Sequence, residues 1–185
     1  MARGRLVVLS GPSGVGKDTV IQAVRRRLPE LQRPVAYTTR APRRGEADGR
    51  EYSFVTLEEF LRLRESGEFL ETATVHGNLY GTSKRRVEEL LQSGRDVLLK
   101  IDVQGASQLR VDQPDATFIF LTPPSREVLL ARLRERATES PLELARRTED
   151  ADRELAQSGW YHHVVVNDEV KRAAQEIVRL LAGDG

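Results

Sequence analysis

The sequence predicts an α/β fold: a mostly parallel sheet flanked by helices on both faces, with a small β-rich segment inserted into it. Three observations predict it. Short apolar runs at 5–10, 96–101, 116–121 and 163–166 alternate with stretches of helical spacing. The first run passes through a glycine-rich loop into an amphipathic stretch, the order that opens a βαβ unit. Residues 37–83 break the alternation with short period-two runs rich in Thr, Arg, Gly and Tyr.

Residues 5–10 (RLVVLS) are short, β-branched and bounded by glycine, as a strand buried on both faces should be. Across 19–28, Val20, Ile21, Val24 and Leu28 share one helical face, and Pro29 stops the helix. Residues 51–55 (EYSFV) and 69–75 (FLETATV) are the strand-like runs of the insertion. Residues 96–101 (DVLLKI) form the next core strand, followed by a short helix from Gln104. Residues 116–121 (ATFIFL) form another, closed by Thr122, Pro123 and Pro124. A long charged helical stretch covers 125–158 and is punctuated near Ser140 and Pro141. A last strand at 163–166 (HVVV) precedes an amphipathic helix over 170–181. The expected organisation is a core of 1–36, 84–124 and 159–185, an inserted lobe of 37–83, and a lid with connecting helices over 125–158. No internal repeat and no low-complexity linker interrupts it.

A chain of 185 residues with 39% apolar content suits one compact domain or a core with small lobes. Its 29 basic and 28 acidic residues give a net charge of +1, without the basic excess of a nucleic-acid polymer binder. Locally, residues 25–50 hold eight arginines against Glu30, Glu46 and Asp48, a cluster suited to a small anion. There is no cysteine, so packing alone must hold the fold. No leader-like segment and no apolar run of membrane-spanning length is present, so a cytoplasmic location is expected and no membrane partner. Composition leaves the oligomeric state open.

Gly11, Pro12, Ser13, Gly14, Val15, Gly16 and Lys17 match G-x-x-x-x-G-K between a strand and a helix. The glycines allow positive φ and a close approach of backbone N–H groups to phosphate oxygens. The helix N-terminus adds partial positive charge, and Lys17 reaches the outer phosphates as a point charge. The motif expects Ser or Thr after the lysine as a Mg²⁺ ligand, but Asp18 stands there and Thr19 one place later. Asp18 reads equally well as a metal ligand or as an acid favoured by the helix dipole.

Arg40 and Arg43 lie three apart on a turn stiffened by Pro42, and two guanidinium forks held that way can grip a phosphate dianion. Tyr52 can add a hydrogen bond. Solvated surface charge is the competing reading for both arginines. Glu71, within an apolar run, can accept two N–H donors from the edge of a guanine, a pair adenine lacks. Thr82 can donate to the guanine carbonyl. Asp102, at the end of a strand, can accept from the exocyclic amine or cap the following helix. Arg132, Arg134 and Arg136, followed by Arg146 and Arg147, could neutralise a moving phosphoryl group. Read locally, with seven arginines and eight acids over 125–154, they describe a solvent-facing helix better.

Together the segments GPSGVGK, TTRAPRRGE, DGREY, GEFLE, GNLYGT, IDVQGA, LTPPS, ARLRER and VVVND resemble the guanylate kinase family over nearly the whole chain. The resemblance implies a P-loop nucleoside-monophosphate-kinase fold with an inserted β-rich GMP-binding lobe and a helical lid. It implies phosphate transfer from ATP to GMP, with dGMP also accepted and Mg²⁺ accompanying ATP. Gly11 to Thr19 would hold the ATP phosphates and Asn167 would lie beside adenine. Arg40, Arg43, Tyr52 and Tyr80 would bind the GMP phosphate; Glu71, Thr82 and Asp102 would read guanine. Lys17, Arg40, Arg132, Arg136 and Arg147 would act on the transferring group. The alternative implied by the fold is an interaction module without catalysis, against which the intact loop weighs. This chain departs from the family at Asp18, at Ala36, where a serine often contacts GMP, and at Lys100, where an acid usually helps organise the metal shell.

Overall fold

The computed structural model describes residues 2–50, 52–75, 77–135 and 141–183. The chain divides into two compact units, residues 1–7 with 31–116 and residues 8–30 with 117–185. Strand β1 (Leu6–Ser10) is therefore shared between them. Its five residues are all buried, which is why the run reads as continuously apolar rather than alternating. The main sheet runs β6-β1-β7-β8.

In the first unit the start of β1 lies beside β6 (Val97–Lys100), and the Val97 N–H donates to the Arg5 carbonyl at 2.9 Å. A second sheet fills the unit with the order β3-β2-β5-β4. Strand β2 (Ala36–Thr38) pairs parallel with β3 (Tyr52–Phe54) and antiparallel with β5 (Asn78–Ser83). Strand β4 (Phe69–Val75) forms an antiparallel pair with β5, and its register shifts between Phe69 and Glu71. Helix α4 (Val103–Asp112) packs on β4.

Two helices here lie outside the sequence expectation. Helix α2 (Leu57–Glu65) begins at Thr56, whose hydroxyl accepts the Glu59 N–H at 3.1 Å. Thr-Leu-Glu-Glu is a capping-box sequence, so the signal existed. Only Phe60 of α2 is buried, stacking on Phe69 at 4.6 Å, so no apolar stripe announces the helix. Helix α3 (Lys84–Gln92) is likewise capped, by Ser83, and buries Val87 and Leu91.

In the second unit β7 (Thr117–Thr122) pairs parallel with β8 (His163–Val166), Ile119 opposite His163 through Thr122 opposite Val166. Helix α1 (Lys17–Arg27) buries Val20, Ile21, Ala23 and Val24 and packs on α7 (Val170–Ala182), which buries Ala173, Ala174, Ile177 and Leu181. The described residues within 125–158 include α5 (Arg126–Glu135), α6 (Pro141–Leu155) and the start of a 3₁₀ turn (Ala156–Trp160). The expected break at Ser140, and Arg136 with it, lies outside the described residues. No helix among the described residues is long and apolar enough to cross a membrane.

Candidate active site

The Gly11–Lys17 segment joins β1 to α1 in the second unit. Gly16 caps α1 with φ of 98°, and a Cβ there would lie 2.7 Å from the Asn167 Nδ2. Neither the conformation nor the space admits a side chain. No side-chain hydrogen bond caps α1 at Gly16. The Lys17 ammonium donates to the carbonyls of Gly11 and, at 3.0 Å, Pro12, so it folds over the loop. Asp18 and Thr19 stand exposed in the first turn.

The loop is held through two of its residues. The Val15 carbonyl accepts from Asn167 Nδ2 at 2.7 Å and from Arg132 Nη1 at 3.3 Å. Arg132 Nη2 donates to the Asn167 carbonyl at 3.2 Å. The Ser13 N–H donates to Glu154 Oε2 at 2.9 Å, and Arg147 Nη2 donates to the Ser13 hydroxyl at 3.5 Å. Leu129 and Leu133 of α5 are fully buried; a Cβ on Gly14 would meet Leu133 at 2.8 Å. Two of the arginines named from sequence, Arg132 and Arg147, thus converge on the loop. Arg134 is exposed, as the solvent-facing reading of this stretch expects.

The residues named for the monophosphate and its base all lie in the first unit. Arg40 is pinned: Nη2 donates to both oxygens of Glu46 at 3.0 and 2.9 Å, and Nη1 to the Ala41 carbonyl at 2.6 Å. Glu46 also accepts the Arg43 N–H at 2.8 Å, which closes the turn that carries both arginines. Partial burial pushes Glu46 up, but the Arg43 N–H and the Arg40 guanidinium outweigh it and hold the carboxyl below its usual range. The Arg40 guanidinium carbon lies 5.6 Å from the Tyr52 ring centre, and Tyr52 meets Tyr80 edge-on at 5.7 Å. The Arg43 side chain is exposed. Ala36 sits opposite Tyr52 in the β2–β3 register.

Glu71 on β4 is 5% exposed and accepts a hydrogen bond from the Thr82 hydroxyl at 2.6 Å. Thr82 lies opposite Glu71 on β5, two residues from Tyr80 and therefore on the same strand face. Burial pushes the Glu71 carboxyl up to about 7; the Thr82 hydroxyl opposes the rise and the Asp102 charge adds to it. Asp102 caps α4, its Oδ1 accepting the Gly105 N–H at 2.9 Å. A Cβ on Gly105 would lie 2.5 Å from Glu71 Oε2 and 3.3 Å from Asp102 Oδ1. Glycine at 105 is what lets the two carboxylates share this place.

Sequence reasoning named no role for Glu46, Gly105 or Glu154. Glu46 was within reach, since it lies six residues from Arg40 in a segment already singled out. Glu154 contacts a residue 141 positions away, and nothing in its local sequence marks it. Lys100 donates to the Tyr52 hydroxyl at 2.9 Å, which spacing alone could not show.

Comparison with known proteins bears on what this arrangement does. The family model for guanylate kinase matches residues 3–183. A guanylate kinase of Nocardia farcinica is 52% identical over 180 residues, covering 96% of this chain and 93% of that protein. One of Frankia casuarinae is 51% identical over 178 residues, covering 96% and 97%. Among solved structures, a guanylate kinase from Anaplasma phagocytophilum superposes with a TM-score of 0.80 at 35% identity, covering 99% of this chain and 87% of that one.

Proposed function

This chain belongs to the guanylate kinase family, and from that premise we propose how its residues divide the work of moving the γ-phosphate of ATP to GMP. The chain is a phosphotransferase with ATP and GMP as substrates, giving ADP and GDP. The observation that carries the assignment of roles is the base reader: a buried carboxylate, Glu71, held by Thr82 beside Asp102, on strands that also carry Tyr80 of the arginine–tyrosine cluster. A guanine edge offers N1–H and an exocyclic amine to those carboxylates. Adenine presents an acceptor at N1 in place of that donor, and setting it against a buried acid costs far more than a lost contact in an open pocket. dGMP presents the same edge and is an expected substrate.

Arg40, Arg43, Tyr52 and Tyr80 hold the GMP phosphate. The loop from Gly11 to Thr19 and the Lys17 ammonium hold the ATP phosphates, and Asn167 and Arg132 keep the loop in shape. Arg132, Arg147 and, beyond the described residues, Arg136 neutralise charge on the group in flight. No side chain need form a covalent intermediate: an oxygen of the GMP phosphate attacks the γ-phosphorus in line, ADP leaves, and the Lys17 charge favours its departure. Residues 37–83 act as the monophosphate lobe and 125–158 as the lid.

Among the described residues no group of three side chains could by itself hold a metal ion. Mg²⁺ carried by the phosphates of ATP would find a hard oxygen on Asp18 or Thr19, both exposed in the first turn of α1. When bound, the ion would screen the charge of the phosphate oxygens. A cytoplasmic location fits a cysteine-free chain that acts on these nucleotides.

The test is ADP release measured with GMP, dGMP, AMP, UMP and CMP in turn. GMP and dGMP should support turnover and the others should not. Lys17→Ala should lower kcat by roughly a hundredfold or more, because a charge at the transferring phosphate is lost. Equal rates with AMP would end the assignment of Glu71, and an unchanged kcat in Lys17→Ala that of the loop.

A further inference from the structure

Lys100 is the last residue of β6, following three buried residues, Val97, Leu98 and Leu99. It replaces an acid that the family resemblance leads one to expect. The structure places its ammonium against Tyr52. Lys100 Nζ donates to the Tyr52 hydroxyl at 2.9 Å and lies 5.3 Å from that ring's centre. The same ring takes the Arg40 guanidinium at 5.6 Å. Two cations therefore face one tyrosine whose edge is closed by Tyr80.

We propose that Lys100 is a further binding residue for the monophosphate's phosphate group, acting directly as a charge and through the Tyr52 hydroxyl. The proposal rests on the reading that Arg40, Arg43, Tyr52 and Tyr80 hold that group. A hydroxyl that accepts from an ammonium must turn its own proton elsewhere, and the ammonium polarises it into a stronger donor. A phosphate monoester carries about −1.5 to −2 at neutral pH, so an ammonium on the ring that also takes the Arg40 guanidinium favours it.

The experiment compares GMP with guanosine, which carries the same base and no phosphate, by calorimetry or competition against wild type, Lys100→Met, Lys100→Arg and Arg43→Ala. Methionine keeps the length of the stem, and thermal unfolding of each variant checks its fold. Lys100→Met should weaken GMP roughly tenfold, the scale of one charge-assisted hydrogen bond. Guanosine should stay within about twofold of wild type, and Lys100→Arg should restore most of the loss. The GMP affinity of Lys100→Met should also fall less steeply with added salt. Lys100→Met binding GMP as wild type does, while Arg43→Ala does not, overturns the proposal and leaves the parent reading standing. Equal weakening of GMP and guanosine overturns it too, since Lys100 would then support the surrounding structure rather than the phosphate. Wild-type GMP affinity in both Lys100→Met and Arg43→Ala overturns the phosphate grip itself.

Discussion

On the proposed reading Glu71 sets stability against recognition, and replacing it by glutamine separates the two. Its carboxyl is held at about 7 in the folded chain against an ordinary 4.5. A rise of that size corresponds to about 3 kcal/mol, at about 1.4 kcal/mol per unit. The folded-state value is the raised one, so the contribution to stability is fully present below pH 4.5, where both states are protonated. Between 4.5 and about 7 the unfolded chain ionises while the folded chain keeps its proton, and stability falls. Above about 7 the loss is complete. A glutamine amide at this position can still accept from Thr82 but carries no charge to bury. Glu71→Gln should therefore match wild type near pH 4.5 and exceed it by up to about 3 kcal/mol at pH 8. In a chain of this length that is a rise in Tm of about 6–12 °C.

Guanine reverses the preference, because its N–H donors favour the ionised acid. GMP binding to wild type should expel a proton from Glu71, so affinity should climb with pH and flatten above about 7. The phosphate of GMP also titrates near 6, but it does so equally in Glu71→Gln, so the difference between the two proteins isolates Glu71. Urea unfolding from pH 4.5 to 8.5 and calorimetry in two buffers of different ionisation enthalpy give both arms. Stability profiles that run parallel for the two proteins would refute the burial argument. Equal proton release on binding GMP would refute the role of Glu71 in reading the base.

Two further substitutions act one step back from the nucleotides. Gly105→Ala places a Cβ 2.5 Å from Glu71 Oε2, and the carboxylate must move. Steady-state kinetics should show KM for GMP raised about tenfold or more, with kcat changed less and the KM for ATP unmoved, since the displaced group reads only the base. An unchanged KM for GMP would mean that the pose of Glu71 is irrelevant. Glu154→Ala removes the acceptor of the Ser13 N–H in the loop. It should raise the KM for ATP severalfold without touching that for GMP, and Glu154→Gln, which keeps an acceptor, should recover most of the loss. A loss shared by both substrates would assign Glu154 to general stability instead.

How much of this was legible in the sequence depends on how far apart the cooperating residues lie. The core strands were legible because a strand buried on both faces must be apolar throughout, as β1 is. The Gly11–Lys17 loop was legible as the turn from strand to helix, because its glycines punctuate an apolar run and a helical one. Arg40, Arg43 and Tyr52 were legible as a local cluster, and Asp102 as a cap. Helix α2 was hidden because one buried phenylalanine makes no stripe, although Thr56 announced its start. Arg132 and Arg147 read locally as surface charge, and only their bonds to Val15 and Ser13 show otherwise.

The residues that position others were the least legible, for a physical reason. A group that touches a nucleotide must have a particular chemistry, so its type and neighbours betray it. A group that positions another needs only to be the right size or a suitable acceptor in the right place. Gly105 qualifies by having no side chain next to Glu71, and Glu154 by reaching Ser13 across most of the chain. Lys100 stands between the two kinds. Its charge conflicts with what the resemblance leads one to expect at that position, and its bond to Tyr52 turns the conflict into a role that can be measured. A departure from a family's pattern informs when the structure supplies a partner for the new side chain, and Tyr52 is that partner here.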